Sequence, residues 1–419
     1  SQDSSDPQTL LLKNARVVLP DAATGPTNLL VADGRIARVN ATDEQLTPAR
    51  ALDLDGLTLY PGFIDVHIHG AVGVDTMQAS ADDLRRVARF LATRGVTAWL
   101  PTLVPAPPED YRRAVASIET LMRDGRREEE DALAGRSRAG ADAVGARALG
   151  VHYEGPFVNT AQCGALRTEY FRAFKGPSSL DELATLPADL AALAGSRAAH
   201  MTTLAPEIDG GVALVGELVS RGWIVSIGHT RADAATLDAA RDAGARHMTH
   251  FFNAMSPLHH RDPGVVGWGL LDDRVTCDVI ADGVHSDPLM LRLALRCKTP
   301  ARLALISDAV LPAGLGDGDY EVWGETISVT GGRTRNARGS IAGSVITMLD
   351  AARTMLSLGC APHDVARMAS LNPARLLGLD ALTGSIEEGK RADLVAVDAQ
   401  GRARLTLVGG RVAHDSLTS

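Results

Sequence analysis

Along the central part of the chain, short apolar runs alternate with longer segments whose apolar residues recur every three or four positions. The runs read "FIDVHIH", "VTAWLPT", "ALGVHYEG", "HMTTLAPE", "WIVSIGHT", "HMTHFFN", "TCDVIADG" and "RLALISD". Each is closed by glycine, proline or a polar residue, the pattern of a buried strand. Helical segments separate most of them. Ser80 is placed to cap one, with Asp83 three residues on to complete a reciprocal cap. Another runs near Glu109–Met122. Eight strands with helical crossovers predict an α/β fold, a (β/α)8 TIM-like barrel of parallel strands. An open doubly wound sheet is the alternative, but it calls for a glycine-rich phosphate loop after the first strand, and none is present. The segment "RDGRREEEDALAGRSRAGADAVGAR" interrupts the alternation. Its dense mixed charge predicts a solvated helix and loop with no chemistry of its own.

The two ends of the chain share a different pattern. "LLLKNARVVL" is followed by "NLLVADGRIARV", alternating runs around an Asp33-Gly34 turn, which is a hairpin signal. "ADLVAVDAQGRARLTLVGGRVAHD" repeats that style of short strands and glycine turns near the C-terminus. Neither end has enough apolar surface to fold alone. They are expected to pair as a small β-sandwich domain formed from both chain termini. Proline and glycine breaks at "LYPGF" and "TGSIEEGK" set the boundaries: residues 1–58 and 384–419 for the two parts of the β-domain, 59–383 for the barrel.

Composition narrows the class. The 419 residues are 45% hydrophobic and 22% charged, ordinary for a globular chain with one large core and a smaller second unit. A net charge of -9 argues against binding nucleic acid through bulk electrostatics. No apolar run is long enough to span a bilayer, and "SQDSSDPQTL" lacks the apolar centre of a signal peptide. Cys163, Cys277, Cys297 and Cys360 form no CxxC pair, which fits a reducing compartment. The expectation is a cytoplasmic protein with neither a nucleic-acid nor a membrane partner.

Candidate chemistry collects where the strands end. His67 and His69 close the first strand, two residues apart and so on one side of it. Glu154 ends the third, His229 the fifth, His250 the sixth and Asp308 the eighth, while His285 follows the seventh. In a βα barrel these ends converge on one mouth. A single histidine at a strand end is more often structural than functional. So many strands ending in His, Glu or Asp are hard to explain as core packing, because buried carboxylates are costly unless a cation satisfies them. The constellation predicts a divalent metal site.

These stretches carry a resemblance to a known family. "PGFIDVHIHG", "HYEGPFVN", "TLAPE", "SIGHT", "THFFNAMSPLHHRDPGVVG", "IADGVHSD", "LISDAV" and "GSIEEGKRADLVAVD" resemble the N-acetylglucosamine-6-phosphate deacetylases of the amidohydrolase superfamily, over nearly the whole chain. The resemblance implies that Glu154, His229 and His250 hold the principal divalent metal, with Glu154 standing where much of the superfamily has a carbamylated lysine. It implies that Asp308 is the general base and that Asn253, the backbone at Ala254, and His285 contact a sugar phosphate. Arg261 matches an arginine that reaches the phosphate of a neighbouring subunit, which implies a homodimer with shared sites. His67 and His69 allow a second metal, bridged by Glu154. Zinc suits such nitrogen and oxygen ligands, and iron, cobalt or manganese fit the same geometry.

The implied reaction is metal-dependent hydrolysis of N-acetylglucosamine 6-phosphate to glucosamine 6-phosphate and acetate. One departure bears on the substrate. Relatives commonly carry "GAH" after the "EGPF" loop, whereas this chain reads "CGALRTEYF", with Leu166 in place of the histidine. His152, Arg167, His259 and His260 are the groups placed to compensate. The alternatives are an amidohydrolase acting on another acetamido sugar, such as N-acetylgalactosamine 6-phosphate or an unphosphorylated sugar, or on an N-acyl compound. A non-catalytic barrel kept as an assembly protein would be expected to have lost ligands, and none is missing.

Overall fold

The computed structural model describes residues 9–41, 50–136, 144–193 and 200–418. Eight parallel strands form the barrel: β1 (Phe63–Ile68), β2 (Val96–Leu103), β3 (Val151–Glu154), β4 (His200–Leu204), β5 (Ile224–Ile227), β6 (His247–Met248), β7 (Thr276–Ile280) and β8 (Leu303–Ile306). Each pairs with the next in parallel. Closure comes just past the end of β8, where Asp308 N donates to His67 O at 2.9 Å and His69 N to Ala309 O at 2.8 Å. The expected barrel is present. β6 is shorter than the apolar run "HMTHFFN" suggests. The chain turns into the left-handed region at His250 (φ 32°), Phe252 and Ala254, which ends strand pairing early.

Two apolar layers hold the barrel. Ile64, Val66, Ala98, Leu100, Met201, Ile224, Ile280 and Ile306 form one cluster drawn from β1, β2, β4, β5, β7 and β8, closed by Leu377 and Leu379. Residues shared by so many strands can meet only inside the barrel. The larger cluster lies between strands and helices and includes Trp99, Tyr153, Leu204, Val279 and Leu305. The helix Ala81–Ala92 feeds it Leu84, Val87 and Leu91, each contributing about 1.5–3 kcal/mol when fully buried. Ser80 caps that helix as expected, accepting from Asp83 N while Asp83 takes Ser80 N. The next helix, Pro108–Leu133, runs well beyond Met122. Its outer half carries part of the charged segment in pairs such as Arg126–Glu130, and residues 137–143 of that segment lie outside the described ones.

The terminal strands form one eight-stranded sheet. Its seam is the antiparallel pairing of Thr58–Pro61 with Leu394–Val397, which joins the two ends of the chain. The hairpin about Asp33-Gly34 is present, with both residues at positive φ. The sheet curls over its own core of Leu12, Leu29, Ile36, Leu59, Leu394 and Leu407. At its far edge Ile36 N donates to Lys390 O and Ala392 N to Gly34 O, so one continuous sheet supplies two facing layers. A further antiparallel sheet follows β8, made of Gly318–Val322, Glu325–Thr330 and Arg333–Asn336. It escaped the reading of the sequence, although Trp323-Gly324 and Gly331-Gly332 stand as turns between its alternating runs.

Candidate metal centre

The barrel brings six of the predicted residues together as two sets of three, Glu154, His229 and His250 on one side and His67, His69 and Asp308 on the other. All six are buried, and within each set the ligand atoms lie within 4.8 Å of one another. Glu154 connects the sets. Its Oε1 is 2.9 Å from Nε2 of both His229 and His250, and its Oε2 is 3.0 Å from His69 Nε2 and 3.6 Å from His67 Nε2. Asp308 Oδ1 stands 3.3 Å from the Nε2 of both His67 and His69. Gly70, directly after the histidine pair, turns the chain so tightly that a Cβ there would sit 2.0 Å from Val74 O.

Three of these residues leave the strand geometry. His229 (φ 48°), His250 (φ 32°) and Asp308 (φ 48°) occupy the left-handed region, where a side chain costs of order 1–3 kcal/mol. Hydrogen bonds hold them there. Asn159 N donates to His229 O at 3.0 Å, and His229 Nδ1 donates to Gln162 O at 2.7 Å, which leaves Nε2 as the free lone pair. The buried Asp278 on β7 accepts His250 N at 2.5 Å through Oδ1 and His247 Nε2 at 2.8 Å through Oδ2. Asp65 on β1 accepts Ser307 Oγ at 2.5 Å and His67 N at 3.3 Å, tying β1 to the turn that carries Asp308. Burial pushes Asp65 up to about 6 against those hydrogen bonds.

The electrostatics of the two donor sets favour positive charge between them. Burial alone would lower His69 and His250, but Asp308 and Glu154 lift His69 to about 10, and Glu154 lifts His250 to about 9. Burial opposes the charge of Glu154, yet the imidazoles around it hold its carboxyl well below the usual range, and Asp308 is lowered in the same way. The two carboxylates therefore draw positive charge into a dry cleft. The paired Nε2 atoms, 3.1 Å apart in each set, aim at the same oxygens. Neutral imidazoles so placed suit a cation between them, and a nitrogen and oxygen donor set of this kind fits a divalent transition metal.

The amidohydrolase family profile matches residues 58–413. The chain belongs to the amidohydrolase family. It is 35% identical over 411 residues to the N-acetylglucosamine-6-phosphate deacetylase of Bacillus subtilis (strain 168), covering 98% of each chain. It is also 35% identical over 406 residues to the N-acetylgalactosamine-6-phosphate deacetylase of Escherichia coli O157:H7, covering 97% of this chain and 99% of that one. Among solved structures, an N-acetyl-D-glucosamine-6-phosphate deacetylase variant from Mycobacterium smegmatis, in complex with N-acetyl-D-glucosamine-6-phosphate, superposes with a TM-score of 0.81 at 31% identity, over 98% of this chain and all of that one.

Around the two sets, this amidohydrolase places the remaining predicted residues unevenly. His285 is fixed by Asp282, whose Oδ2 accepts Nδ1 at 2.7 Å. Burial works against the Asp282 charge, but His285 holds its carboxyl below the usual value. Asn253 directs Nδ2 to His250 O at 3.2 Å, and Ala254 O accepts Thr230 N at 3.1 Å, so this loop is tied to the segments that follow β5 and β6. Arg261 is not brought to the mouth. It is exposed, and among the described residues its partners are His259 Nδ1 and His260 Nε2. Leu166 is buried and belongs to the main apolar cluster. Of the groups weighed against it, His152 is the one that lies beneath the site, donating from Nδ1 to Val66 O at 2.9 Å and accepting at Nε2 from Thr203 at 2.8 Å. The sequence reading missed Asp65, Asp278 and Trp323. A lone aspartate inside an apolar strand, as in "FIDVHI" and "TCDVI", was the available signal for the first two. Trp323 sets its ring edge-on to His69 at 5.1 Å, and only the fold brings it there.

Proposed function

We propose that the chain removes the acetyl group of N-acetylglucosamine 6-phosphate, releasing acetate and glucosamine 6-phosphate. The observation that carries this reading is the shared carboxylate, Glu154, with a histidine pair on each oxygen and Asp308 beside one pair. Glu154, His229 and His250 would hold one divalent ion, and His67 and His69 with Asp308 a second. Zinc suits the donors, and iron, cobalt or manganese are the alternatives. A divalent ion bound there lowers the pKa of water from about 16 to about 7 and polarises a carbonyl oxygen.

The protein's own groups supply the rest. Asp308 accepts the proton of the attacking water and returns it to the departing amine, which cannot leave as an anion. Burial of all six ligands keeps bulk water from screening that transfer. His285, its Nδ1 occupied by Asp282, presents Nε2 to the substrate, and Asn253 and the backbone at Ala254 line the same side. Arg261 of the partner subunit binds the phosphate, which accounts for its exposed place on the loop, and the working form is a homodimer. The test is acetate release from N-acetylglucosamine 6-phosphate, N-acetylgalactosamine 6-phosphate and free N-acetylglucosamine after metal reconstitution. Equal rates on phosphorylated and free sugar would sink the phosphate assignment. A clear preference for the galactosamine epimer would favour the second reading, to which the Escherichia coli relative lends equal identity.

A further inference from the structure

The "TLAPE" stretch at the end of β4 supplies no group to either donor set, yet its glutamate sits at a junction of loops. Glu207 Oε1 accepts Asn159 Nδ2 at 2.8 Å and Arg231 N at 2.6 Å, and its Oε2 accepts Thr230 Oγ1 at 2.5 Å. These partners gather about His229. Thr230 and Arg231 follow it directly. Asn159 reaches it twice, by donating N to His229 O at 3.0 Å and by capping the short turn Thr160–Gln162, accepting Ala161 N at 2.8 Å. That turn delivers Gln162 O to His229 Nδ1. Beyond Thr230 the same network reaches the substrate-facing loop, since Thr230 N donates to Ala254 O and Thr230 pairs with Met255.

We infer that Glu207 is a positioning residue that holds His229 in its left-handed conformation with Nε2 aimed at Glu154. The inference rests on the reading of His229 as a metal ligand. A backbone in that region relaxes toward the strand unless its neighbours are fixed, and Glu207 fixes the two residues that follow His229 and the asparagine that bonds its carbonyl. Its three acceptor contacts need a carboxylate. Glutamine keeps one oxygen and turns the other position into a donor that faces Thr230 Oγ1 or Asn159 Nδ2. Alanine removes all three. Groups that orient a metal ligand without touching the ion commonly change metal affinity by about 10- to 100-fold.

The experiment compares Glu207→Gln, Glu207→Ala and His229→Ala with the parent in a zinc titration of the metal-free protein against a chromophoric chelator, together with melting of the metal-free form. The expected result is a graded loss of zinc affinity at one equivalent, about tenfold or more for Glu207→Ala and less for Glu207→Gln. The other equivalent should hold near the parent value, and the melting temperature of the metal-free variants should move little. Parent-like affinity at both equivalents in Glu207→Ala, with His229→Ala losing one, would overturn the positioning role while leaving His229 a ligand. Equal weakening of both equivalents with a large drop in the metal-free melting temperature would overturn it too, in favour of a purely structural role. Should His229→Ala keep both equivalents at full affinity, the underlying ligand assignment fails instead.

Discussion

His229 and His250 stand on backbone that has left the strand, whereas His67 lies on β1 and His69 one residue past it. The difference extends outward. His229 has its Nδ1 bonded to a carbonyl, while Asp278 anchors the backbone of His250 much as Asp65 anchors that of His67. Among the described residues, the Nδ1 atoms of His67 and His69 have no hydrogen-bond partner, and neither has that of His250. Their rings are held by packing instead, His67 against His152 at 4.7 Å and His69 against Trp323 at 5.1 Å. Hydrogen bonds fix both tautomer and direction, while ring packing fixes only position. Of the four imidazoles, His229 is the one whose Nδ1 is fixed by a hydrogen bond, so the Glu154, His229 and His250 set is the more preorganised through that residue, and it is expected to take up an ion first and release it last.

The sharpest way to break this contrast is to remove a ligand from the preorganised half. His229→Ala or His250→Ala should leave less than about a thousandth of the parent turnover, since two remaining donors are too few to retain a metal against competing water. Full metal content with normal turnover in either variant would dismiss that half altogether. Asp308→Asn keeps the shape of the other half but cannot accept a proton. Turnover should fall at least about a hundredfold, the usual scale for losing a general base, while substrate still binds. Near-normal turnover would mean that the proton travels by another route.

Joint replacement of His67→Ala and His69→Ala should remove one equivalent of metal and spare the other, as read by elemental analysis of the purified protein. Persistence of two equivalents would erase the distinction between the halves. The smallest effect is expected outside both. Arg261→Ala should reduce discrimination between phosphorylated and free sugar by about 2 kcal/mol, roughly 30-fold, the scale of a lost charged hydrogen bond. Mixing Arg261→Ala subunits with Asp308→Asn subunits should then restore part of the activity, because each chain lends what the other lacks. Proven heterodimers that stay inactive would place Arg261 in its own subunit's site or in none.

What could be read from the sequence depended on how local the cause was. The barrel strands announced themselves because each is a short apolar run with a definite stop, and all six candidate residues were conspicuous as polar residues at those stops. Glu154 needed its neighbours to be understood, since one carboxylate shared by four imidazoles is a property of the closed barrel. The left-handed backbone at His229, His250 and Asp308 left no mark in the sequence, because tertiary hydrogen bonds impose it on residues that do not favour it. The charged stretch was expected to begin as a solvated helix, but its polarity hid that it continues the second helix to Leu133, where ion pairs hold a face that meets water. Leu166 stands out in the sequence as a departure from its relatives, and the structure adds that it is buried in the main apolar cluster.

The seam between the two ends of the chain bears on how such a molecule is made. Pro61 finds its partner in Leu394, so the strand that carries it lacks that neighbour until about 330 residues later. At synthesis rates of about 5–20 residues per second, the edge formed by Thr58–Pro61 stays open for roughly 20–70 s. Contacts so distant along the chain are also slow to form once both partners exist. The nascent protein thus carries an unsatisfied strand edge through most of its synthesis, the feature that invites pairing with a wrong neighbour or capture by a chaperone. Completion of the C-terminal strands is the step that ends this exposure.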